Sequence, residues 1–305
     1  GACRVTWPLP DSPPLVSIVI PTRDRGRMLR RCVDGVLHRT SYPNVEVVLV
    51  DHASTQRSAR RFIDDLARSR HARVVKFAED FNFSRMVNRG VAASLGEVVC
   101  LLNNDTEVID PDWLTELVGQ ALRPEVGVVG CLLLFPDGTV QHAGVHPGLG
   151  GFMGHGHKYR RHGDPGYHGR LTVAHQVAAV TGACLATRRS TWDELGGMDE
   201  GLPVAFNDVD FCLRARAAGL PVLFTPHAVL RHHESASRGT DEDPVRSERL
   251  AREHQRMIQR WGSLLEEDPA YHPDLSRDPS GFSLSATPST VPPWRMVAQV
   301  ATTEK

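Results

Sequence analysis

What the sequence lacks narrows the reading first. Neither sign of charge prevails, since 35 Lys and Arg stand against 36 Asp and Glu, a formal net charge of -1 over 305 residues. A chain without a global positive field is not a general nucleic-acid binder, and any basic contact must be local, as around Arg23, Arg25, Arg27, Arg30 and Arg31. No apolar run reaches the roughly 18 residues that a transmembrane helix needs, so any membrane contact would be peripheral or supplied by segments outside this sequence. No secretory signal pattern opens the chain. The start Gly1-Ala2-Cys3, in place of Met, points to a processed product or a segment of a longer protein. No internal repeat is visible. The six cysteines, Cys3, Cys32, Cys100, Cys131, Cys184 and Cys212, form no C-x-x-C pair, and most lie in apolar runs. They read as buried, reduced thiols of a cytoplasmic protein.

What is present suits a globular α/β chain. With 41% hydrophobic and 23% charged residues it can bury a sizeable core in one large or two small domains. After a Pro-rich lead-in over 1–14, Val16-Ser17-Ile18-Val19-Ile20-Pro21 reads as a buried strand. Met28, Leu29, Cys32, Val33, Val36 and Leu37 fall on one face of a helix over 26–38. Strands are predicted at 45–51, 73–78 and 98–103, with helices at 56–69 and 83–94 between them. Nearly all-apolar strands alternating with helices predict a mostly parallel sheet covered on both faces. Ligands of such sheets bind at the carboxyl ends of the strands. Here those ends carry Thr22-Arg23-Asp24, Asp51-His52-Ala53-Ser54 and Asn103-Asn104-Asp105, a plausible nucleotide pocket.

The second half is less regular. A helix over 111–122 and a strand over 126–135 precede a Gly- and His-rich stretch, 142–169. A strand-like Val177–Arg188, helices at 190–196 and 208–218, and short strands at 222–225 and 228–231 follow. A charged helix is expected over 244–262, and a loose tail from about 266, where Pro, Ser and Asp dominate. His142, His146, His155, His157, His162 and His168 match no structural zinc spacing. A mobile loop over the acceptor cleft, with Gln141-His142-Ala143-Gly144 near the acceptor, is the better reading. Gly148-Leu149-Gly150-Gly151 is not a dinucleotide fingerprint, because no strand feeds it.

Three places can carry chemistry. Asp105, with Glu107 nearby, follows a strand and can ligate a hard cation, although an acid there is commonly a turn residue. Asn207-Asp208-Val209-Asp210 opens a helix, where an acid is either a cap or a general base. Of the adjacent His232 and His233, at most one can face a site, because neighbours on a strand point to opposite sides.

In this order, these places resemble the family 2 glycosyltransferases of bacteria, enzymes of the GT-A fold that build surface polysaccharide such as O-antigen. The resemblance runs from residue 15 to about 275. It takes in Val16–Asp24, Val50-Asp51-His52-Ala53-Ser54, Phe81-Asn82-Phe83-Ser84, Asn88-Arg89-Gly90 and Leu102–Glu107. It continues through Thr181-Gly182-Ala183-Cys184, Gly196–Glu200, Phe206–Arg214, His232–Gly239 and Asp268-Pro269-Ala270-Tyr271.

That resemblance implies a GT-A domain over 15–243. Its nucleotide-binding half would span about 15–110, its smaller, mixed acceptor-side half about 111–243, and a C-terminal helix and tail would occupy 244–305. Pro21, Thr22, Arg23, Asp24, Asp51, Asn82, Asn88 and Asn104 would line the nucleotide. Asp105 and His232, the latter five residues before Ser237, would bind Mg2+ or Mn2+. Asp208 would be the catalytic base, with Gly182, Ala183, Asn207 and His142 near the donor or acceptor sugar. The implied reaction inverts the anomeric carbon of a UDP- or dTDP-linked sugar and delivers it to a glycan or lipid-linked glycan, at the inner face of the cell membrane. Two departures stand out: Asn103 and Asn207 replace acids of the family's metal and base motifs, which leaves a non-catalytic, carbohydrate-binding domain as the rival. A sugar nucleotidyltransferase would instead carry a Gly-rich loop where Pro21-Thr22-Arg23-Asp24 stands.

Overall fold

The computed structural model describes residues 3–233, 244–265, 268, 270–279, 281–287 and 290. Strand β1 (Val16–Thr22) is buried along its whole length, and its alternation assigns its side chains to two cores. Val16, Ile18 and Ile20 face one core and Val19 the other, as the two-residue period of a strand dictates. Around it follow α1 (Gly26–His38), β2 (Val45–Asp51), α2 (Arg57–Ser69), β3 (Arg73–Lys76), α3 (Phe83–Ala92) and β4 (Val98–Leu102). The chain goes on through β5 (Thr106–Val108), α4 (Trp113–Ala121), β6 (Val128–Leu134), β7 (Val140–His142), β8 (Val145–Pro147), β9 (Met153–His155) and β10 (His175–Val177). It ends with β11 (Cys184–Arg188), α5 (Arg189–Glu194), α6 (Asn207–Ala217), β12 (Val222–His232) and α7 (Pro244–Trp261).

Strand order in the large sheet is β10-β12-β6-β11-β4-β1-β2-β3, with β5 added beside β12 and β7 beside β6. β4, β1, β2 and β3 pair in parallel, as the alternation of apolar strands and helices predicts. Beyond β4 the sheet is mixed, because β11 runs antiparallel to both β4 and β6. α1, α2 and α4 cover one face through Leu29, Phe62, Trp113 and Leu117. α3 and α6 cover the other through Met86, Val87, Phe211 and Leu213. Each such side chain contributes on the order of 1.5–3 kcal/mol by leaving water. α3 approaches the sheet so closely that a Cβ on Gly90 would lie 2.4 Å from Val19 Cγ1, so only glycine fits.

Three expectations are corrected here. The predicted strand 177–188 is two strands, because Thr181-Gly182-Ala183 leaves the ladder between β10 and β11. The two short strands at 222–231 are one, β12, whose register slips at a bulge between Thr225 and Val229. The expected mobile loop 142–169 instead packs against the described residues of the tail, between 268 and 287. β8 and β9 form a small sheet, and Leu149, Tyr271, Leu275 and Phe282 share a core. Asp268 reaches His146 at 2.7 Å with both side chains buried. Glu234–Gly239, including Ser237, and Pro269 lie outside the described residues. Among the described residues no helix is long and apolar enough to cross a membrane.

Candidate functional site

The carboxyl ends of β1, β2 and β4 converge as the strand order requires. Asp24 and Arg25 turn the chain out of β1 in the left-handed region, with φ of 57° and 54°. The Asp24 carboxylate accepts from the backbone N–H groups of Thr55 and Gln56, each at 2.7 Å, and so ties the β1 end to the β2 end. The Gln56 amide in particular holds the Asp24 carboxyl below its ordinary range, against the opposing effect of burial. Asp51 caps the same turn by accepting from Ser54 N–H at 3.1 Å, and Ser54 Oγ accepts from Asp24 N–H. Asn104 donates to Thr22 Oγ1 at 2.7 Å, which joins the β4 end to the β1 end. Pro21, Thr22, Arg23, Asp24, Asp51 and Asn104 thus share one sheet edge. His52 packs beside them against Phe77 and Phe81, with Nε2 on the Glu79 carbonyl.

Asn82 and Asn88, also expected at the nucleotide, are bonded instead to the segment that packs against α3. Asn82 caps α3 by accepting from Arg85 N–H and donates to the Glu200 carbonyl. Asn88 accepts from Met198 N–H and donates to the Met198 carbonyl. Both amides staple α3 to residues 198–200.

Asp105 and His232 meet because β5 pairs with β12 and sets Thr106 opposite His232. His232 Nε2 lies 3.0 Å from Asp105 Oδ1, and both side chains are about nine-tenths buried. Yet Asp105 Oδ1 has no hydrogen-bond donor, and the Asn103 amide approaches the same Nε2 at 3.4 Å. A buried, unpartnered carboxylate oxygen facing an imidazole nitrogen fits a divalent cation held by one hard oxygen and one imidazole. Among the described residues no third His, Cys, Asp or Glu joins the pair. Glu107 is engaged elsewhere, by Arg31, Arg231 and His233. The alternation of the strand therefore turns His232 to Asp105 and His233 to Glu107. Beneath the loop, Cys32 donates to the Asn103 carbonyl at 3.5 Å, and burial pushes its thiol up to about 12. It stays a neutral filler.

Asp208 sits in the first turn of α6. Its Oδ2 accepts from Gly182 N–H and its Oδ1 from Val209 N–H, both at 2.8 Å. Asn103 N–H donates to the Ala183 carbonyl at 3.0 Å, so the segment that holds Asp208 is hydrogen-bonded to the segment that leads into Asp105. Asp210, the other acid of the motif, is fully buried among Arg214, Arg260 and Trp261, so the base role does not pass to it.

Asn207 and His142, expected near the donor or acceptor sugar, are both buried and hydrogen-bonded within the protein. Asn207 is 3% exposed and donates to the carbonyls of Leu202 and Val204, shaping the approach to α6. His142 is wholly buried. Its Nε2 accepts from Thr181 N–H at 3.4 Å, next to Gly182, while Nδ1 faces His155 Nδ1 at 2.7 Å. Burial above all, and the adjoining histidines, push its pKa well below the ordinary imidazole value. It is a neutral support for the Gly182 segment. The sequence had no signal for that role beyond a His in a strand, since the partner lies 39 residues away.

The profile of the family described as glycosyltransferase-like family 2 matches residues 13–259. An uncharacterised protein, y4gI, of Sinorhizobium fredii is 46% identical over 285 residues, which is 93% of this chain and 31% of that protein. The O-antigen biosynthesis protein RfbC of Myxococcus xanthus is 43% identical over 244 residues, 79% of this chain and 19% of that protein. The N-acetylglucosaminyl-diphospho-decaprenol L-rhamnosyltransferase of Mycobacterium tuberculosis is 28% identical over 254 residues, 74% of this chain and 78% of its own length. The chain therefore spans less than a third of the length of the first two relatives. Among solved structures, the mannosyltransferase PcManGT of Pyrobaculum calidifontis, in complex with GDP-Man and Mn2+, superposes with a TM-score of 0.61 at 20% identity, over 83% of this chain and 67% of that one. GalNAc-T7 with UDP, GalNAc and Mn2+ superposes with a TM-score of 0.66 at 18% identity, over 83% of this chain and 49% of that one. At these identities the likeness shows the fold, which is GT-A.

Proposed function

This chain belongs to the family 2-like glycosyltransferases, and we propose that it moves a sugar from a UDP- or dTDP-linked donor to a hydroxyl of a glycan or lipid-linked glycan, with inversion. The observation that carries the reading is the meeting of three groups at one sheet edge: the Asp24–Asp51 cradle, the Asp105–His232 pair, and Asp208 fixed on Gly182. Pro21, Thr22, Asp24, Asp51 and Asn104 hold base and ribose, and Arg23 or Arg25 lies toward the phosphates. Gly182 and Ala183 border the donor sugar.

Asp208 keeps lone pairs beyond the two backbone amides it accepts, so it can take the acceptor proton. The acceptor oxygen then bonds to the anomeric carbon while the bond to the diphosphate oxygen breaks, and the electron pair leaves with the diphosphate. Asp105 and His232 would hold a divalent cation, which when bound would supply Lewis-acid stabilisation of that leaving charge. Holding donor and acceptor in line contributes much of the remaining acceleration. The relatives named for O-antigen biosynthesis and rhamnosyl transfer support a cell-surface glycan as the product and a hexose or deoxyhexose as the cargo.

Calorimetric titration of UDP, dTDP and GDP, each with and without Mn2+, tests the reading. Binding of one nucleotide that strengthens with Mn2+ is expected. Folded protein that binds none of them would make the chain a non-catalytic domain, the outcome that Asn103 and Asn207 would then explain.

A further inference from the structure

Gln141 stands at an irregular point of the sheet. In the pairing of β6 with β7, Leu133 faces His142 and Leu134 faces Val140, so Gln141 is the extra residue of a β-bulge. Bulges re-aim a side chain out of the alternation that a regular ladder imposes. Here the side chain reaches His232, 91 residues away on β12, and contacts it twice. Gln141 Nε2 donates to the His232 carbonyl at 3.3 Å, and His232 Nδ1 lies 2.7 Å from Gln141 Oε1. The side chain is 3% exposed.

These two contacts together decide where the imidazole proton sits. A carbonyl oxygen accepts only, so the end of the Gln141 amide that faces the His232 carbonyl must be its NH2 group. The other end, facing Nδ1, is then the amide oxygen, which also accepts only. Nδ1 must therefore carry the proton and donate it. In a neutral ring that leaves Nε2 with its lone pair, directed at Asp105 Oδ1. The approach of the Asn103 amide to the same Nε2 agrees with an acceptor there.

We propose that Gln141 is a positioning residue that fixes His232 in the Nδ1–H tautomer and turns its Nε2 lone pair to the cation. The proposal rests on the reading of Asp105 and His232 as cation ligands. Metal-bound histidines commonly owe their orientation to such a partner on the second nitrogen, and its removal typically lowers metal affinity 10–100-fold. With only one carboxylate in the metal motif, a correctly presented imidazole matters more here than in a site with two.

The test has two independent readouts. Long-range 1H–15N correlation on histidine-labelled wild-type protein without metal should show a proton on His232 Nδ1, whether or not Nε2 also carries one toward Asp105; a ring protonated at Nε2 alone overturns the proposal without any variant. Mn2+ titrated in saturating UDP or dTDP should bind Gln141→Met about 10–100-fold more weakly than wild type, with metal-free nucleotide binding unchanged as the control for folding. Gln141→Glu keeps an acceptor opposite Nδ1 and should restore most of the affinity, which a merely structural role would not require. Gln141→Met that binds Mn2+ like wild type, with the nitrogen pattern unchanged, overturns the proposal. Wild-type protein whose nucleotide binding ignores Mn2+ instead overturns the cation reading beneath it, and the nitrogen pattern still reports on Gln141 itself.

Discussion

The Gly182 amide donates to Asp208 Oδ2 at 2.8 Å, and a Cβ on Gly182 would lie 3.4 Å from the Asp208 Cβ. One carboxylate is thus pinned by the backbone of the strand connection that leads into β11 rather than by a side chain. A basic partner would tie up the lone pairs that a base needs, whereas amides orient the group and leave them free. Replacing Asp208 with Asn keeps the oxygen that accepts from Gly182 and removes the ability to take a proton. Asp208→Asn is expected to lower kcat by about 10²–10⁴-fold while nucleotide affinity stays within about twofold of wild type. Steady-state transfer assays beside calorimetry check this, and near-normal turnover would move the base elsewhere.

In the proposed cation site Asp105 is the one carboxylate, since Asn stands at position 103. Asp105→Asn is therefore expected to remove the effect of Mn2+ on nucleotide binding, lowering affinity in Mn2+ by at least about tenfold, or about 1.4 kcal/mol. Chelation by EDTA should lower wild-type affinity to the same level and leave the variant unchanged. The comparison of the two titrations separates loss of the cation from loss of the fold.

The places of these two candidate sites are legible in the sequence, as an apolar strand that ends in polar residues and a helix that opens with acids. Taken locally, such acids read as a turn residue and a cap, and only the resemblance gives them roles. β1 to β4 and α1 to α4 were legible because strands of four to seven residues and helices of nine or more display their periods. β5, β7, β8, β9 and β10 have three residues each, too few to show an alternation. The roles of Asn82, Asn88, Asn207 and His142 were not legible because an amide or imidazole takes its function from what lies opposite. For Asn88 that is Met198, 110 residues away. Pro226, inside β12, masked the continuity of that strand, which only the bulge at Thr225 to Val229 permits.

The enclosed histidines set the acid limit of stability. Burial above all holds His157 to about 3 and His175 to about 4, against 6.5 for an ordinary imidazole. The unfolded chain takes up these protons near pH 6.5, whereas the folded chain does not until those lower values. The unfolded state therefore binds more protons between about pH 6.5 and 4, and stability is lost as pH falls through that window. Each histidine contributes up to about 1.4 kcal/mol per pH unit there. Urea unfolding at pH 7, 6 and 5 should show the decline, and His157→Gln should flatten it. A midpoint that does not move between pH 7 and 5 would contradict the neutral, buried state of both rings.

Asp268 and His146 fasten the C-terminal segment to β8. Burial pushes the Asp268 carboxyl up, but the hydrogen bond and charge of His146 more than offset this, so it lies below its ordinary value. Its contribution is therefore present above about pH 4 and lost as pH falls below that. Asp268→Ala leaves His146 buried without its acceptor, and His146 Nε2 already has no hydrogen-bond partner. Breaking one side of such a pair costs about 3–5 kcal/mol where the remaining group cannot reach water. Here the cost can be relieved by releasing the small core of Tyr271, Leu275, Phe282 and Leu149, so the expected loss is nearer the lower figure. Limited proteolysis should then cut the variant within 270–287 before the sheet opens, at protease levels that leave wild type intact. Equal cutting of both proteins would mean that the apolar contacts alone hold the segment, and that the Asp268–His146 pair adds nothing measurable to them.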